Sequence, residues 1–211
     1  MADISLTAEK LSKKFNRRTI FSDISFSLQN GSSLAITGKN GSGKSTLVKI
    51  LSGVLSSTRG SVVLQIDGTE ITRENHFSYF GLVSPYLQLY DEFTGLENLE
   101  LFNNIRGLSV SREYLRQLLH RVNLHDRQND LVRTYSSGMK QRLKYAFALF
   151  HTPPVLFLDE PTSNLDTEGT ETVYRFTEEQ KSRGILIIAT NDEHDAQLCD
   201  QRIDLNTVVK E

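Results

Sequence analysis

The sequence predicts an α/β domain built on a parallel sheet, and three observations carry that expectation. The segments Val155 to Leu158 and Ile185 to Ala189 are apolar at every position, as strands covered on both faces must be. Ser33 to Thr37 is a further short apolar strand that runs straight into a glycine cluster. Helical periodicity occupies the stretches between such strands, the order expected of an α/β chain.

The elements follow in order along the chain. In the first 30 residues Ile20, Ile24, Phe26 and Leu28 alternate with polar residues in the manner of strands. Lys44 to Leu51 turns helical, with Leu47, Ile50 and Leu51 on one face. Ser61 to Ile66 reads as a strand closed by an Asp67-Gly68 turn, and a further strand is expected over Phe77–Ser84. Leu96, Leu99 and Phe102 recur at helical spacing, as do Leu115, Leu118, Leu119 and Val122. Met139, Leu143, Ala146, Phe147 and Phe150 form another stripe, which Pro153-Pro154 stops. A polar helix near 168–183 and Gly184 separate the last two buried strands. No repeat or linker interrupts the chain, so one domain over 1–211 is expected, with helices inserted over roughly 85–152.

Composition narrows the function classes. At 38% hydrophobic and 24% charged, the 211 residues are ordinary globular material. A net charge of −2 provides no basic field for nucleic acid, so no nucleic-acid partner is expected. The single cysteine, Cys199, cannot form an internal disulfide, which fits a reducing compartment. No stretch reaches the roughly 18 apolar residues of a membrane span, and Met1 to Ser5 begins no secretory signal. A cytoplasmic protein is expected, and any membrane part must come from another chain.

Gly38-Lys39-Asn40-Gly41-Ser42-Gly43-Lys44-Ser45-Thr46 satisfies the phosphate-binding pattern G-x-x-x-x-G-K-[ST] between a strand and a helix. Glycines let backbone N–H groups curl around phosphate oxygens, and the helix that follows points its positive end at the same anion. Lys44 adds a charge for the β- and γ-phosphates, and the Ser45 hydroxyl is a ligand for Mg²⁺. The strand at 155–158 ends in Asp159-Glu160, at the sheet edge where ligands bind in open α/β folds. Asp159 is expected to reach Mg²⁺ directly or through water. Glu160 is expected to polarise the water that attacks the γ-phosphate. This pairing resembles that of the P-loop NTPases.

The segment Tyr135-Ser136-Ser137-Gly138-Met139-Lys140-Gln141-Arg142 resembles the signature motif of ABC-type ATPases, and Thr162-Ser163-Asn164-Leu165-Asp166 resembles that family's D-loop. The order phosphate loop, signature, acidic pair, D-loop matches the ABC nucleotide-binding domain from Leu6 to about Leu205. The resemblance implies a RecA-like core, an N-terminal antiparallel β subdomain and an inserted helical subdomain. It implies ATP and Mg²⁺ as cofactors. It also implies head-to-tail pairing with a second ATPase subunit, as homodimer or heterodimer. In that pairing Ser136, Ser137 and Gly138 close on nucleotide held by the other chain, with Asp166 of the D-loop beside them. Gly38, Asn40, Gly41, Ser42, Gly43, Lys44, Ser45 and Thr46 would contact the bound nucleotide. Phe15 stands where the family stacks a ring on adenine, although a core position is an equal alternative from the residues alone.

Two positions depart from the family pattern. Pro85 stands where the family places a glutamine, with Gln88 three residues on as its expected substitute. Asn191 replaces the histidine of the family's Thr-His-Asp, so it can donate a hydrogen bond but carry no charge. Slower hydrolysis, or hydrolysis leaning harder on Glu160, is expected. The remaining histidines, His76, His120, His125, His151 and His194, show no metal spacing. The resemblance implies an ATPase that powers transport through separate transmembrane permease subunits, peripheral on the inner face of the membrane and similar to compact exporters. Tyr86, Leu87, Leu89, Tyr90 and Phe93 are candidates for that interface or for packing in the helical lobe. The alternatives are a soluble non-transport ABC ATPase and a weakly hydrolysing switch.

Overall fold

The computed structural model describes residues 2–207. In chain order the elements are β1 (Ile4–Phe15), β2 (Arg18–Gln29), β3 (Ser33–Thr37), α1 (Lys44–Leu51), β4 (Arg59–Ile66), β5 (Thr69–Ile71), β6 (Phe80–Val83), α2 (Gly95–Ile105), α3 (Arg112–Arg121), α4 (Ser137–Leu149), β7 (Val155–Asp159), α5 (Thr167–Lys181), β8 (Ile185–Ala189), α6 (Glu193–Gln197) and β9 (Gln201–Asp204). They form two sheets. An antiparallel sheet runs β2-β1-β4-β5, and a parallel sheet runs β6-β7-β8-β3-β9.

The parallel sheet is buried because its strands carry apolar side chains on both faces. Every residue of β3, β7 and β8 is buried. Alternation then divides the core. Leu156, Leu158, Leu186 and Ile188 pack with α2, α3, α4 and α5. Val155, Phe157, Ile185 and Ile187 pack with α1 and the antiparallel sheet. Each such side chain contributes about 1.5–3 kcal/mol through burial, so the central strands β3, β7 and β8 have no solvent face and the loops at their C-terminal ends become the working surface.

The strand expected over Phe77–Ser84 is shorter, confined to Phe80–Val83. Residues Arg73–Ser78 form a 3₁₀ turn instead. The His76 ring is buried, with Nε2 3.0 Å from the Ile71 carbonyl oxygen, and the Tyr79 amide donates back to His76 O at 2.9 Å. That turn leaves Phe77 exposed instead of paired. Of the apolar residues in the loop after β6, Tyr86, Tyr90 and Phe93 are exposed, while Leu89 packs against the helical core.

The starts of α2 to α5 are set by side-chain caps. Thr94 and Glu97 form a reciprocal capping box at α2, Ser111 caps α3, Ser136 caps α4 and Asp166 caps α5. Among the described residues no helix is long and apolar enough to cross a membrane. Met1 and residues 208–211, the ends of the expected 1–211 domain, lie outside the described residues.

Candidate functional site

The phosphate loop begins where β3 ends. Gly38, Gly41 and Gly43 all adopt positive φ, which wraps the backbone into a concave turn. Gly43 is a position that resists any side chain. It has φ 110°, and a Cβ there would lie 2.5 Å from Cγ2 of Ile20. Gly43 stands at the N-cap of α1 with no side-chain cap, and no acidic residue occupies the first turn. The helix N-terminus therefore keeps its N–H groups and its partial positive charge for an outside acceptor. Ser42 Oγ is buried and makes no hydrogen bond among the described residues.

The Lys44 side chain is 6% exposed and sits between two oxygens. It donates to Gly38 O at 2.9 Å and pairs with Glu160 Oε1 at 3.3 Å. Ser45 Oγ donates to Asp159 Oδ1 at 3.0 Å, although the two residues are 114 positions apart. The Asp159 carboxyl is pushed above the usual range, first by burial and against the Ser45 hydrogen bond. A hard divalent cation is bound by such oxygens, so the Ser45–Asp159 pair fits Mg²⁺. The glycine turn, uncapped helix and Lys44 ammonium fit phosphate.

Glu160 takes φ 52°, uncommon for a residue with a side chain. Its amide donates to Ala189 O at 2.8 Å, which ties the residue after β7 to the end of β8. Glu160, Lys44, Ser45, Thr46, Asn40 and Gly41 border one cavity of about 380 Å³. The three chemistry-bearing side chains of the sequence reading, Lys44, Ser45 and Glu160, thus converge on one space, with Asp159 directly behind Ser45.

The remaining expected site residues fall in five places. Asn191 follows β8 on the far side of the loop, and its Nδ2 donates to Asn40 Oδ1 at 3.4 Å. Gln88 is exposed and does not border the phosphate-loop cavity, so its expected role as the glutamine substitute is not supported. The loop turns at Ser84, with the Leu87 amide donating to Ser84 O, and buried Asn98 then clamps Tyr90 through its N–H and C=O. That path directs Gln88 outward and leaves Pro85 and Tyr86 as the cavity wall. Phe15 is 46% exposed at the tip of the β1–β2 hairpin, with Lys13 Nζ 4.7 Å from the ring centroid, which removes the core alternative.

Ser136, Ser137 and Gly138 lie at the start of α4, away from the chain's own phosphate-loop cavity. Ser136 Oγ accepts the Met139 amide at 3.2 Å, so it caps α4. The helix packs on the turn after Glu160. Gln141 Nε2 and Tyr145 hydroxyl both donate to Pro161 O, and a Cβ on Gly138 would meet Asn164 O at 3.1 Å. Asp166 accepts the Gly169 amide at 2.8 Å as the α5 cap and also stands outside the cavity.

Tyr86, already a candidate for the partner interface, takes a second position beside the nucleotide loop, and two lysines that hold its turn, Lys49 and Lys144, carried no signal in the sequence. Tyr86 borders the phosphate-loop cavity and also a larger apolar groove of about 450 Å³ next to it, where Val54, Phe77, Phe102 and Arg106 contribute walls. Lys49 of α1 lies 4.0 Å from the Tyr86 ring centroid. Lys144 of α4 donates to Ser84 O and Pro85 O, both at 3.2 Å, and so holds the same turn from the other side. No local pattern marks Lys144, because its partners are about sixty residues away.

Comparison with known proteins places this arrangement. The family model described as ABC transporter matches residues 21–163. The chain is 32% identical over 199 residues to the ABC transporter ATP-binding protein YybJ of Bacillus subtilis, covering 93% of this chain and 90% of that one. It is 33% identical over 186 residues to the lantibiotic transport ATP-binding protein SrtF of Streptococcus pyogenes, covering 88% and 79% respectively. Among solved structures, the ATP-binding cassette MJ0796, a dimer bound to ADP and Pi in a post-hydrolysis state, superposes with a TM-score of 0.82. That match covers 94% of this chain and 93% of the other at 22% identity, a likeness of fold.

Proposed function

This chain belongs to the ABC transporter family, as an ATP-binding ATPase protein of that family, and from that premise we propose that it powers export through separate transmembrane permease subunits. It would lie in the cytoplasm against the inner face of the membrane, paired head to tail with a second ATPase subunit. The reading takes residues 1–211 as one cassette whose helical lobe spans 85–152. The observation that carries it is Tyr86, which walls both the phosphate-loop cavity and the apolar groove. A partner helix seated in that groove would touch the same turn that borders the bound nucleotide. Export rather than import is supported by Pro85 and Asn191, which depart from the pattern that import subunits keep.

Bound Mg²⁺ and ATP supply a γ-phosphorus electrophile whose negative charge is partly neutralised. The chain's own residues do the rest. Backbone N–H groups of 41–46 hold phosphate oxygens, with Asn40 and Ser42 completing the turn that starts at Gly38. Lys44 leaves Glu160 for the β- and γ-phosphates. Ser45 and Asp159 would hold the metal. Glu160, freed from Lys44, accepts the proton of the attacking water. Asn191 donates its amide on the γ-phosphate side. Phe15 stacks on the base, an interaction worth about 1–3 kcal/mol. Ser136, Ser137 and Gly138 of the second cassette close the site from above with their helix N-terminus, Asp166 beside them.

Affinity purification from detergent-solubilised membranes tests the proposal. A multi-span polypeptide should be recovered with the chain, and Phe77→Asp in the groove should abolish its recovery. Ribosomes or DNA in its place would overturn the transport reading.

A second reading, the weakly hydrolysing switch, is favoured by one observation, the uncharged Asn191 at 3.4 Å from Asn40. Asn191→His restores an imidazole that can carry charge and a proton. Turnover of the substituted protein is expected to rise several-fold over the parent at equal ATP affinity. An unchanged or lower turnover would show that Asn191 does not limit the rate.

A further inference from the structure

One buried carboxylate is used by nothing described so far. Asp195 lies in α6 at 1% exposure. Its Oδ2 accepts two hydroxyl hydrogen bonds, from Thr162 at 2.9 Å and from Thr190 at 3.2 Å. The two threonines come from different parts of the chain, and each adjoins the chemistry. Thr162 sits two residues after Glu160, in the turn that leads to Asp166. Thr190 immediately precedes Asn191 and is fully buried. The Thr190 hydroxyl also accepts the Asp192 amide at 3.0 Å, and its own amide donates to Ile36 O in the strand that feeds the phosphate loop.

Among the described residues no lysine, arginine or histidine forms an ion pair with Asp195. Burial raises its pKa, and the two threonine hydrogen bonds oppose that rise. A carboxyl in so dry a place costs more than an apolar side chain of similar size. What it supplies in return is one acceptor shared by two segments that, among the described residues, have no other side-chain hydrogen bond between them.

We propose that Asp195 is a positioning residue for hydrolysis, locking the turn after Glu160 to the strand end before Asn191 so that base and amide keep a fixed spacing across the phosphate loop. The inference rests on the assignment of Glu160 as the base. Without the shared acceptor only the backbone hydrogen bond from Glu160 N to Ala189 O ties the two segments beyond the strand ends. The turn at Thr162 and the Thr190–Asn191 step gain freedom, and misplacement of a reacting group by about 1 Å costs up to 10²-fold in rate.

The test uses the purified full chain with Mg-ATP. Asp195→Ala should lower kcat roughly tenfold or more, with KM and the calorimetric Kd for ATP within twofold of the parent. Asp195→Asn keeps an oxygen that accepts both hydroxyls, so it should retain most of kcat. Thr162→Val and Thr190→Val should each slow turnover, and the double variant should be no slower than the slower single one, because both remove one shared link. Hydrogen exchange of the chain alone supplies a readout independent of turnover. Thr162→Val should speed exchange at Asn191–Glu193, and Thr190→Val should speed it at Ser163–Leu165. The proposal fails if Asp195→Ala turns over like the parent, or if Asp195→Asn is as slow as Asp195→Ala. It fails too if the threonine effects simply add, or if neither threonine variant alters exchange in the distant segment. Should Asp195→Ala not fold, the threonine variants and Asp195→Asn decide alone. Glu160→Gln separates the two claims. Turnover surviving in Glu160→Gln removes the base assignment, whereas its loss beside a parent-like Asp195→Ala removes only the positioning role.

Discussion

Glu160→Gln is expected to reduce ATP turnover by about 10²–10⁴-fold while leaving ATP binding intact, the range that a positioned general base supplies. The substitution keeps shape and removes basicity. Glu160 holds an unusual backbone conformation at φ 52°, and its amide is bonded to Ala189 O at 2.8 Å. Neither feature depends on the carboxylate, so the glutamine side chain should occupy the same place. Its amide cannot accept the water's proton, so hydrolysis stalls with nucleotide bound. ATP should then accumulate paired cassettes, visible as a doubled mass by light scattering after gel filtration. A persistent monomer would count against the paired site, and undiminished phosphate release would remove Glu160 from the mechanism.

The second large effect falls on binding. Lys44→Ala should weaken ATP affinity by about 10²-fold or more, near 3 kcal/mol, as expected for loss of a charge-assisted contact in a protected site. The ammonium is 6% exposed and is held by Gly38 O and Glu160, so it is already aimed along the loop. Its partner Glu160 is 26% exposed and stays solvated without it. The change in folding stability should therefore be small, at most about 1 kcal/mol. Calorimetric titration and thermal unfolding separate the two quantities. A large fall in melting temperature with unchanged affinity would make Lys44 a structural residue and sink the phosphate-loop reading.

These expectations draw on two different kinds of information. The turn at 38–43, the lysine and serine that follow it, and the acidic pair after β7 were legible before any coordinates. Each is a local pattern whose spacing carries its own chemistry. The buried strands were legible for a similar reason, since a strand covered on both faces has no position left for a polar side chain. The edges of elements were less so. The strand expected to begin at Phe77 begins at Phe80, because the buried His76 ring and its bond to Ile71 O hold a turn that hydrophobic pattern does not encode. Gln88 stands outside the phosphate-loop cavity for a related cause. Counting residues from β6 cannot show that Asn98, ten positions on, pulls the loop back at Tyr90.

The chain by itself determined the fold class, the phosphate-binding turn and the residue types available for catalysis. All of these rest on neighbours in sequence, where backbone geometry sets distance directly. Only the tertiary structure decided that Ser45 meets Asp159, that Asn191 reaches Asn40, that Tyr86 rather than Gln88 walls the cavity, and that Asp195 joins Thr162 to Thr190. Those pairings bring distant segments within hydrogen-bonding distance or into one cavity wall. Their geometry is set by how the two faces of one sheet pack, a sum over many buried side chains that no short motif contains.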